Sequence, residues 1–273
     1  MRTLVHLSDT HFGRVDYLTV SPLIEAVKKV NPDLVAVSGD LTQRARVEQF
    51  KEAREFLDVL PSPQIVVPGN HDVPLDNLFA RFLRPLHTYR RYITNNLQPF
   101  YLDQEIAVLG INTTRSLTVK GGRINREQVA LIRELLCPLG DDVTRVVVTH
   151  HPLDLSEGYS GKGEVGNARL AMEMLAGCGI DLFLAGHLHM GHFGRAARYR
   201  IVGHSAIVLQ AGTAISSRGR GESNSFNVLR IERPYITVER LSWERDLGLF
   251  VVSARKLFRL SAEGWALVHE KGE

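Results

Sequence analysis

The stretch Val66-Val67-Pro68-Gly69-Asn70-His71-Asp72 is a short apolar run that stops at a glycine and then presents an amide, an imidazole and a carboxylate. Core packing does not require three such side chains in succession. Four further apolar runs also lead directly into aspartate or histidine, namely LVHLSDTH (4–11), LVAVSGD (34–40), VVVTHHP (146–152) and LFLAGHLH (182–189). Uninterrupted apolar runs are typical of strands buried on both faces, and α/β sheets bind ligands beyond the carboxyl ends of such strands. We therefore predict five buried strands whose polar residues meet at one edge.

Length and composition indicate a globular chain. Of the 273 residues, 44% are apolar and 23% are charged, which is enough apolar material for a sizeable core. Because the polar residues at 9–72 and 150–189 must converge, we predict a single domain over residues 1–273. Within it, 77–92 is a candidate lid and 244–273 a C-terminal extension. The net charge of +3 is too small to indicate a nucleic-acid partner.

The two cysteines and the start of the chain indicate the cellular compartment of the protein. Cys137 and Cys178 are too few for a disulfide framework, so we expect each to be a buried thiol in a reducing compartment. Met1-Arg2-Thr3 runs directly into the first predicted strand, so we expect no signal peptide. No apolar run approaches the roughly 20 residues of a transmembrane helix. Together these observations predict a cytoplasmic protein.

Helices and strands alternate in the first part of the chain, and strands dominate the remainder. Periodic patterns predict helices at 21–30 with Ser21 as cap, at 46–58, at 77–92, after Asn125 and at 167–176. Residues 105–111 predict a strand of a second sheet, and short antiparallel strands follow at 199–202, 206–210, 226–231 and 236–241. This order favours the α/β (α+β) class, with two β-sheets packed face to face and helices outside, a four-layer α/β/β/α sandwich.

Seven of the polar residues have the chemistry of metal ligands. Carboxylates, imidazoles and one amide oxygen suit borderline metals such as Mn, Fe or Zn, whereas Ca and Mg prefer oxygen alone. Seven ligands exceed one tetrahedral shell but fill two shells if one carboxylate bridges. Two such ions, about 3.5–4 Å apart, can hold a bridging hydroxide and clamp a phosphoryl oxygen. The candidates are Asp9, His11, Asp40, Asn70, His150, His187 and His189.

In their order and spacing these blocks resemble the calcineurin-like metallophosphoesterases over roughly residues 1–240. The blocks that carry the resemblance are Asp9-Thr10-His11, Gly39-Asp40, Gly69-Asn70-His71-Asp72, His150 and Gly186-His187-Leu188-His189. The resemblance implies that one metal binds Asp9, His11 and His189. It implies that the second binds Asn70, His150 and His187, with Asp40 bridging the two.

The same resemblance implies the catalytic roles. His71 would protonate the leaving oxygen or stabilise the charge of the transition state, with Asp72 orienting its imidazole. Of the tandem pair, His150 is the implied ligand. For His151 two roles remain open: a residue beside the metal site that faces the substrate, or a structural residue.

Departures from the family pattern narrow the predicted activity. The protein phosphatases of the family carry Asp-Arg-Gly after the second block, where this chain has Leu41-Thr42-Gln43-Arg44, so we do not expect protein phosphatase activity. The motifs are more similar to the bacterial cyclic-nucleotide and glycerophosphodiester phosphodiesterase branch. That branch implies hydrolysis of a small anionic phosphodiester, such as a cyclic nucleotide, by attack of a metal-bridging hydroxide.

Two alternatives stay open. A UDP-2,3-diacylglucosamine-type pyrophosphatase is favoured by the arginine-rich segment 77–92 and the basic tail 250–260, which leave peripheral membrane contact open. A non-catalytic scaffold with this fold is the other alternative, and the complete set of ligands argues against it. The late loop at 218–221, with Arg218 and Arg220, is a candidate source of phosphate contacts.

Overall fold

The structure is a computed structural model that describes residues 1–118, 121–155, 163–196, 205–218 and 221–268. The strand predicted at 199–202 and Arg220 lie outside these residues. The strands are β1 (Arg2–Leu7), β2 (Leu34–Val37), β3 (Gln64–Val66), β4 (Phe100–Leu102), β5 (Ile106–Ile111), β6 (Thr144–Thr149), β7 (Leu182–Ala185), β8 (His192–Arg195), β9 (Ile207–Gln210), β10 (Ser225–Glu232), β11 (Tyr235–Glu244), β12 (Leu249–Ser261) and β13 (Gly264–Leu267).

Within the described ranges, these strands form two sheets. The first has the order β13-β12-β11-β10-β1-β2-β3 and the second the order β4-β5-β6-β7-β9-β8. Strands β1, β2 and β3 are parallel, as are β5, β6, β7 and β9. The prediction that all strands after His189 are antiparallel is therefore wrong for β9. The chain forms the edge strand β8 and then returns to lie parallel to β7, with β8 antiparallel on its other side.

The uninterrupted apolar runs are explained by burial on both faces of each strand. In β1, Leu4 contributes to the core between the two sheets, whereas Val5 faces the core under the helices. In β6, Val148 and Val147 divide in the same way between the inter-sheet core and the core under the opposite helices. Successive side chains of a strand point to opposite faces, so each strand serves two cores. The prediction of two packed sheets with helices outside is confirmed.

The helices are α1 (Tyr17–Val30), α2 (Val47–Val59), α3 (Leu78–Leu83), α4 (His87–Tyr92), α5 (Arg126–Leu136) and α6 (Ala168–Leu175). The predictions for α2, for α6 and for the capping box at Asn125 are confirmed. The start of α1 was predicted too late, since the helix begins one turn before Ser21. Its cap is Asp16, whose side chain accepts a hydrogen bond from the Leu18 amide, and Pro22 lies inside the helix.

The segment 77–92 forms two short helices where one was predicted. The break falls at Arg84, directly before Pro85, and a residue that precedes proline disfavours the helical conformation. Arg81 is 3% exposed and donates hydrogen bonds to the carbonyl oxygens of Pro74, Ser116 and Thr118. This arginine therefore fixes α3 to the loop that follows β5.

The C-terminal residues are part of the first sheet. Strands β12 and β13 continue it beyond β11, and the basic residues of the tail lie on β12. Trp265 of β13 is buried and donates from Nε1 to Asp181 Oδ1 at 2.8 Å. The tail thus contacts the loop in front of β7, a strand of the second sheet.

The expectation that both cysteines are free thiols is wrong, because Cys137 and Cys178 form a disulfide. Cys137 lies at the end of α5 and Cys178 follows α6, with their Cα atoms 4.4 Å apart. The two residues are 41 positions apart in the chain, so only the packing of the two helices brings them together. No helix in the described part of the chain has the length and apolar character that crossing a membrane would require.

Candidate metal centre

The carboxyl ends of five parallel strands bring the predicted ligands together. In the first sheet, Asp9 and His11 follow β1, Asp40 follows β2 and Asn70 follows β3. In the second sheet, His150 follows β6, and His187 and His189 follow β7. Of these seven residues, all but His187 are buried. Each sheet therefore supplies part of the site.

The backbone is strained at the ligand positions. Five of the seven residues adopt a positive φ: Asp9 at 53°, His11 at 46°, Asp40 at 52°, His187 at 71° and His189 at 56°. A residue with a side chain rarely adopts this conformation, because it costs about 1–3 kcal/mol of conformational free energy per residue. The turns let the chain leave each strand while its side chains stay at the sheet edge. Such a concentration of strain at one place indicates a functional site.

Two glycines make the close approach of these loops possible. A Cβ atom at Gly69 would collide with the amide nitrogen and Oδ1 of Asp40. A Cβ atom at Gly186 would collide with the Ser8 hydroxyl and Asp9 Oδ2. Each glycine directly precedes a predicted ligand. The loop after the neighbouring strand β2 packs against the backbone of Gly69, and the loop after β1 of the opposite sheet packs against that of Gly186.

The first group of ligands comprises Asp9, His11, Asp40 and His189, each offering one atom within 4.8 Å of the others. His11 Nε2 lies 3.6 Å from Asp9 Oδ1 and 3.7 Å from Asp40 Oδ2, and His189 Nε2 lies 3.5 Å from Asp9 Oδ1. Asp9 Oδ1, His11 Nε2 and Asp40 Oδ2 are buried and make no hydrogen bond among the described residues. Buried polar atoms without partners are costly, and a divalent cation would satisfy all three.

The second group comprises His150, His151 and His187, again with one atom each within 4.8 Å of the others. Asn70 Oδ1 joins them, 3.1 Å from His150 Nε2 and 3.0 Å from His187 Nδ1. His150 Nδ1 donates to the Ser38 carbonyl at 2.8 Å, which leaves Nε2 to face the group. His150 Nε2 is also 3.4 Å from Asp40 Oδ1. The structure thus brings together all seven predicted ligands and adds His151.

The structure gives His151 a definite environment. It is buried, its Nδ1 is 2.9 Å from the Thr113 hydroxyl, and its ring lies 4.6 Å from that of His187. The sequence could not show that His151 lies beside the candidate site. Its contact with Thr113 is made by the loop after β5, which is distant in the chain.

The electrostatics of the two groups are coupled through Asp40. Burial alone would lower the pKa of His150, but the charge of Asp40 raises it to about 9. Burial would raise the pKa of Asp40, but His150 and His11 hold it well below its usual value. Burial lowers the pKa of His187 to about 4, with a further contribution from His150. The carboxylates of the centre therefore carry negative charge and His187 is neutral, whereas His150 would have to release its Nε2 proton to bind a cation.

The prediction that Asp72 orients the imidazole of His71 is wrong. Its carboxylate accepts hydrogen bonds from the amides of Leu41, Thr42 and Gly69 at 2.8–3.1 Å and from the Thr42 hydroxyl at 3.0 Å. Burial, aided by the charge of Asp40, raises the pKa of Asp72 to about 6, against the effect of these donors. Asp72 therefore joins the loops after β2 and β3, while the orienting contact is the Gln43 carbonyl, 2.9 Å from His71 Nδ1.

Arg218 contacts the other ring nitrogen of His71. Its Nη1 lies 3.0 Å from His71 Nε2 and 3.3 Å from Gln43 Oε1. The Arg218 amide donates to the Ser216 hydroxyl, and Ser216 forms a β-bridge with Val15. The loop that the sequence indicated as a source of phosphate contacts thus places a guanidinium beside the candidate acid. Burial lowers the pKa of the His71 imidazole.

Comparison with known proteins agrees with this geometry. Residues 2–191 match the family model described as calcineurin-like phosphoesterase. The chain belongs to this family. Members of this phosphoesterase family use divalent metal ions, and the groups described above supply residues able to bind them.

Two curated relatives of this family member are phosphodiesterases by name. The glycerophosphodiester phosphodiesterase GpdQ of Enterobacter lignolyticus is 31% identical over 163 residues, covering 56% of this chain and 58% of the relative. The 3',5'-cyclic adenosine monophosphate phosphodiesterase CpdA of Haemophilus influenzae is 24% identical over 182 residues, covering 65% and 62%. The chain thus matches about three fifths of the length of these relatives.

Two solved structures share the fold of this phosphoesterase chain. A dimetal phosphatase from Danio rerio aligns with a TM-score of 0.63 at 12% identity, covering 88% of this chain and 95% of its own. A purple acid phosphatase from yellow lupin aligns with a TM-score of 0.66 at 14% identity, covering 92% and 52%. The predicted fold class and family are confirmed.

Proposed function

We propose that the chain is a phosphodiesterase that holds two divalent metal ions and hydrolyses a small anionic diester. The observation that carries the proposal is the position of Asp40. Its Oδ2 faces His11 in the first group at 3.7 Å, and its Oδ1 faces His150 in the second at 3.4 Å. A carboxylate shared between two ligand groups is the arrangement of a bridging ligand.

The residues divide between two sites in this proposal. Asp9, His11 and His189 would hold one ion, Asn70, His150 and His187 would hold the other, and Asp40 would serve both. Mixed nitrogen and oxygen donors suit Mn, Fe or Zn. When bound, such ions lower the pKa of a coordinated water and neutralise charge on a phosphoryl group.

His71 and Arg218 act on the substrate in this proposal. The Gln43 carbonyl binds the proton of His71 Nδ1, so exchange with the leaving oxygen takes place at Nε2. Arg218 donates to that same Nε2. When a diester binds, the guanidinium would turn to a phosphoryl oxygen, for which its planar fork is suited, and Nε2 would take up a proton from water and pass it to the leaving oxygen. Asp72 supports this geometry through the backbone of Leu41 and Thr42.

The substrate class follows the two relatives whose names specify glycerophosphodiesters and cyclic AMP. A second candidate is a UDP-diacylglucosamine-type pyrophosphatase at a membrane surface, which the exposed apolar side chains of α3 favour. Phe79, Phe82 and Leu83 are 73%, 53% and 64% exposed. Against it, Arg81 of the same helix is buried and faces carbonyl oxygens, so fewer basic residues remain for lipid headgroups.

Elemental analysis together with a substrate panel tests the proposal. We expect close to two transition-metal ions per chain after metal loading, and Asp40→Ala should lose more than one of them because its carboxylate serves both groups. Loaded protein should hydrolyse cyclic AMP or a glycerophosphodiester faster than a phosphomonoester or single-stranded DNA. One ion in loaded wild-type protein would remove the dinuclear model, and preference for UDP-diacylglucosamine would favour the second candidate. Absence of hydrolysis of every ester would favour the scaffold.

A further inference from the structure

A cavity of about 540 Å³ lies between the α3–α4 segment and the loop that follows β5. Its basic lining consists of Arg84, His87, Arg90 and Arg115, and its apolar lining includes Leu86 and Leu97. The volume is within the range of small-molecule sites, about 300–1,000 Å³. We propose that this cavity binds an organic phosphate of nucleotide size, at a position distinct from the metal centre.

The charge of the cavity indicates an anion. No aspartate or glutamate is among its lining residues, and the ion pairs described in the structure do not involve Arg84, Arg90 or Arg115. Arg90 donates from Nη1 to the Asn95 carbonyl, and Arg115 donates from Nη2 to Gln128 Oε1 at 3.4 Å. Both partners are neutral, so these bonds position the guanidinium groups without cancelling their charge. A guanidinium has five donors, and most remain for a ligand.

The combination of linings favours a phosphate attached to an organic body. Arginine binds phosphate oxygens in pairs through its planar fork, whereas the leucine side chains offer no polar contact. A phosphate between the arginines would leave its organic part against Leu86 and Leu97. Arg115 is half-buried, and burial together with the charge of Arg123 lowers its pKa against the opposing charge of Glu127, so this cation still gains from a neutralising ligand.

The cavity shares a wall with the metal centre. Asn112 and Thr114 line the cavity, whereas Thr113 between them bonds to His151 Nδ1 at 2.9 Å. The next residues of this loop are fixed to α3, because Arg81 donates to Ser116 and Thr118. A ligand that moves the loop would therefore move Thr113 against His151 in the second ligand group. Through this contact the bound phosphate would alter turnover, a consequence that rests on the proposed phosphodiesterase function.

Binding of 5'-AMP, followed by calorimetry, tests the cavity with matched charge reversals. Arg84→Glu removes a lining cation, whereas Arg91→Glu makes the same charge change on an exposed residue outside the lining. We expect Arg84→Glu to raise the Kd for AMP at least tenfold and Arg91→Glu to change it less than threefold. Arg115→Ala should weaken binding in the same direction. Similar effects of the two reversals would overturn the proposal.

A third variant separates the cavity from the metal centre. Asp40→Ala should keep an AMP site that Arg84→Glu, added to it, abolishes. Loss of all AMP binding in Asp40→Ala would place the nucleotide at the metals and overturn the proposal. Binding is measured without turnover, so an inactive protein would contradict the proposed function while leaving this result interpretable.

The same variants distinguish an effector from a substrate. If a separate phosphate compound uses the cavity, AMP changes kcat for bis(p-nitrophenyl) phosphate in wild type but not in Arg84→Glu. If the cavity holds the distal part of the substrate, Arg84→Glu raises KM for a nucleotide diester and leaves that for the small diester unchanged. Either result supports a phosphate site at the cavity. If both effects are absent and Arg84→Glu leaves AMP binding unchanged, the proposal is contradicted.

Discussion

At the scale of single residues, the candidate acid is placed by a backbone carbonyl and a guanidinium. His71 lies between the Gln43 carbonyl at Nδ1 and Arg218 at Nε2, and its ring meets that of His11 edge-on at 4.9 Å. A carbonyl oxygen fixes the tautomer without adding charge, so the imidazole keeps its capacity to exchange a proton at Nε2. The side chain of Asp72 is used instead to hold the loop that carries Gln43.

His71→Ala should separate proton transfer from metal binding. The variant should keep both ions, since His71 is not among the seven ligands, and turnover should fall about 10²–10⁴-fold on a diester with a poor leaving group. With nitrophenolate as leaving group the loss should shrink, because little protonation is needed. Steady-state kinetics on the two diesters at equal metal content measure this. Equal losses on both would assign His71 to charge stabilisation rather than proton donation.

Arg218→Ala should weaken the binding of the transition state without removing metal. A hydrogen bond from a charged donor contributes about 1.5–3 kcal/mol, so kcat/KM should fall by about 10–100-fold. Arg218→Lys should recover part of the loss because it keeps the charge but not the fork. Arg14→Ala is the matched control, an exposed arginine on the loop that Ser216 contacts. A similar loss in the control would indicate general attraction of the anionic substrate rather than a specific contact.

At the scale of elements, the sequence predicted the five strands that lead to the candidate site well, because these strands are buried on both faces. Such a run has no polar interruption, so its length and its end can be read directly, as in β2 with Val37 before Ser38-Gly39-Asp40. The start of α1 was missed because Tyr17 and Leu18 are exposed apolar residues that do not extend the buried stripe of Leu23 and Val27. The break between α3 and α4 was missed although Pro85 marks it, because apolar residues continue on both sides.

Helix α3 is held by Arg81 rather than by apolar burial, since Phe79, Phe82 and Leu83 are exposed, whereas α4 buries Tyr89 in the core. Arg81→Ala would leave the carbonyls of Pro74, Ser116 and Thr118 without this donor, at a cost of about 1–3 kcal/mol for each carbonyl that stays buried. We expect a clearly lower midpoint of urea unfolding and faster proteolysis within 77–92. Arg91→Ala, an exposed arginine of α4, should change stability by less than about 0.5 kcal/mol. Equal midpoints for the two variants would contradict a structural role for Arg81.

At the scale of the whole molecule, the candidate metal centre forms where the two sheets meet. Asp9, His11, Asp40 and Asn70 come from the first sheet, and His150, His187 and His189 from the second. The sequence could indicate this set because every ligand follows a strand, so a one-dimensional pattern carries the position. It could not indicate Gln43 or the Cys137–Cys178 disulfide, because these contacts depend on tertiary packing and on a backbone atom that every residue possesses.

At the end of the sandwich opposite the candidate metal centre, the buried carboxylate of Asp181 joins the two sheets. Asp181 directly precedes β7, whereas the predicted metal ligands His187 and His189 follow that strand. Its carboxylate accepts from Trp265 Nε1 at 2.8 Å, from Arg233 Nη1 at 3.0 Å and from the Arg145 amide at 2.8 Å. Trp265 and Arg233 belong to the first sheet and its turn, so Asp181 links the two sheets.

Asp181→Ala should therefore destabilise the association of the sheets while leaving the metal centre intact in the folded protein. Removing one partner leaves a buried indole N–H and a partly buried guanidinium without their acceptor, and such losses cost about 3 kcal/mol. Asp58→Ala is the control, because Asp58 is 62% exposed and its helix pair with Arg54 is worth less than about 0.5 kcal/mol. Urea unfolding of metal-loaded protein measures both, with metal content determined before the transition. Loss of metal from folded Asp181→Ala would show that the two ends of the sandwich are coupled, and a midpoint equal to that of Asp58→Ala would show that the contact does not hold the sheets together.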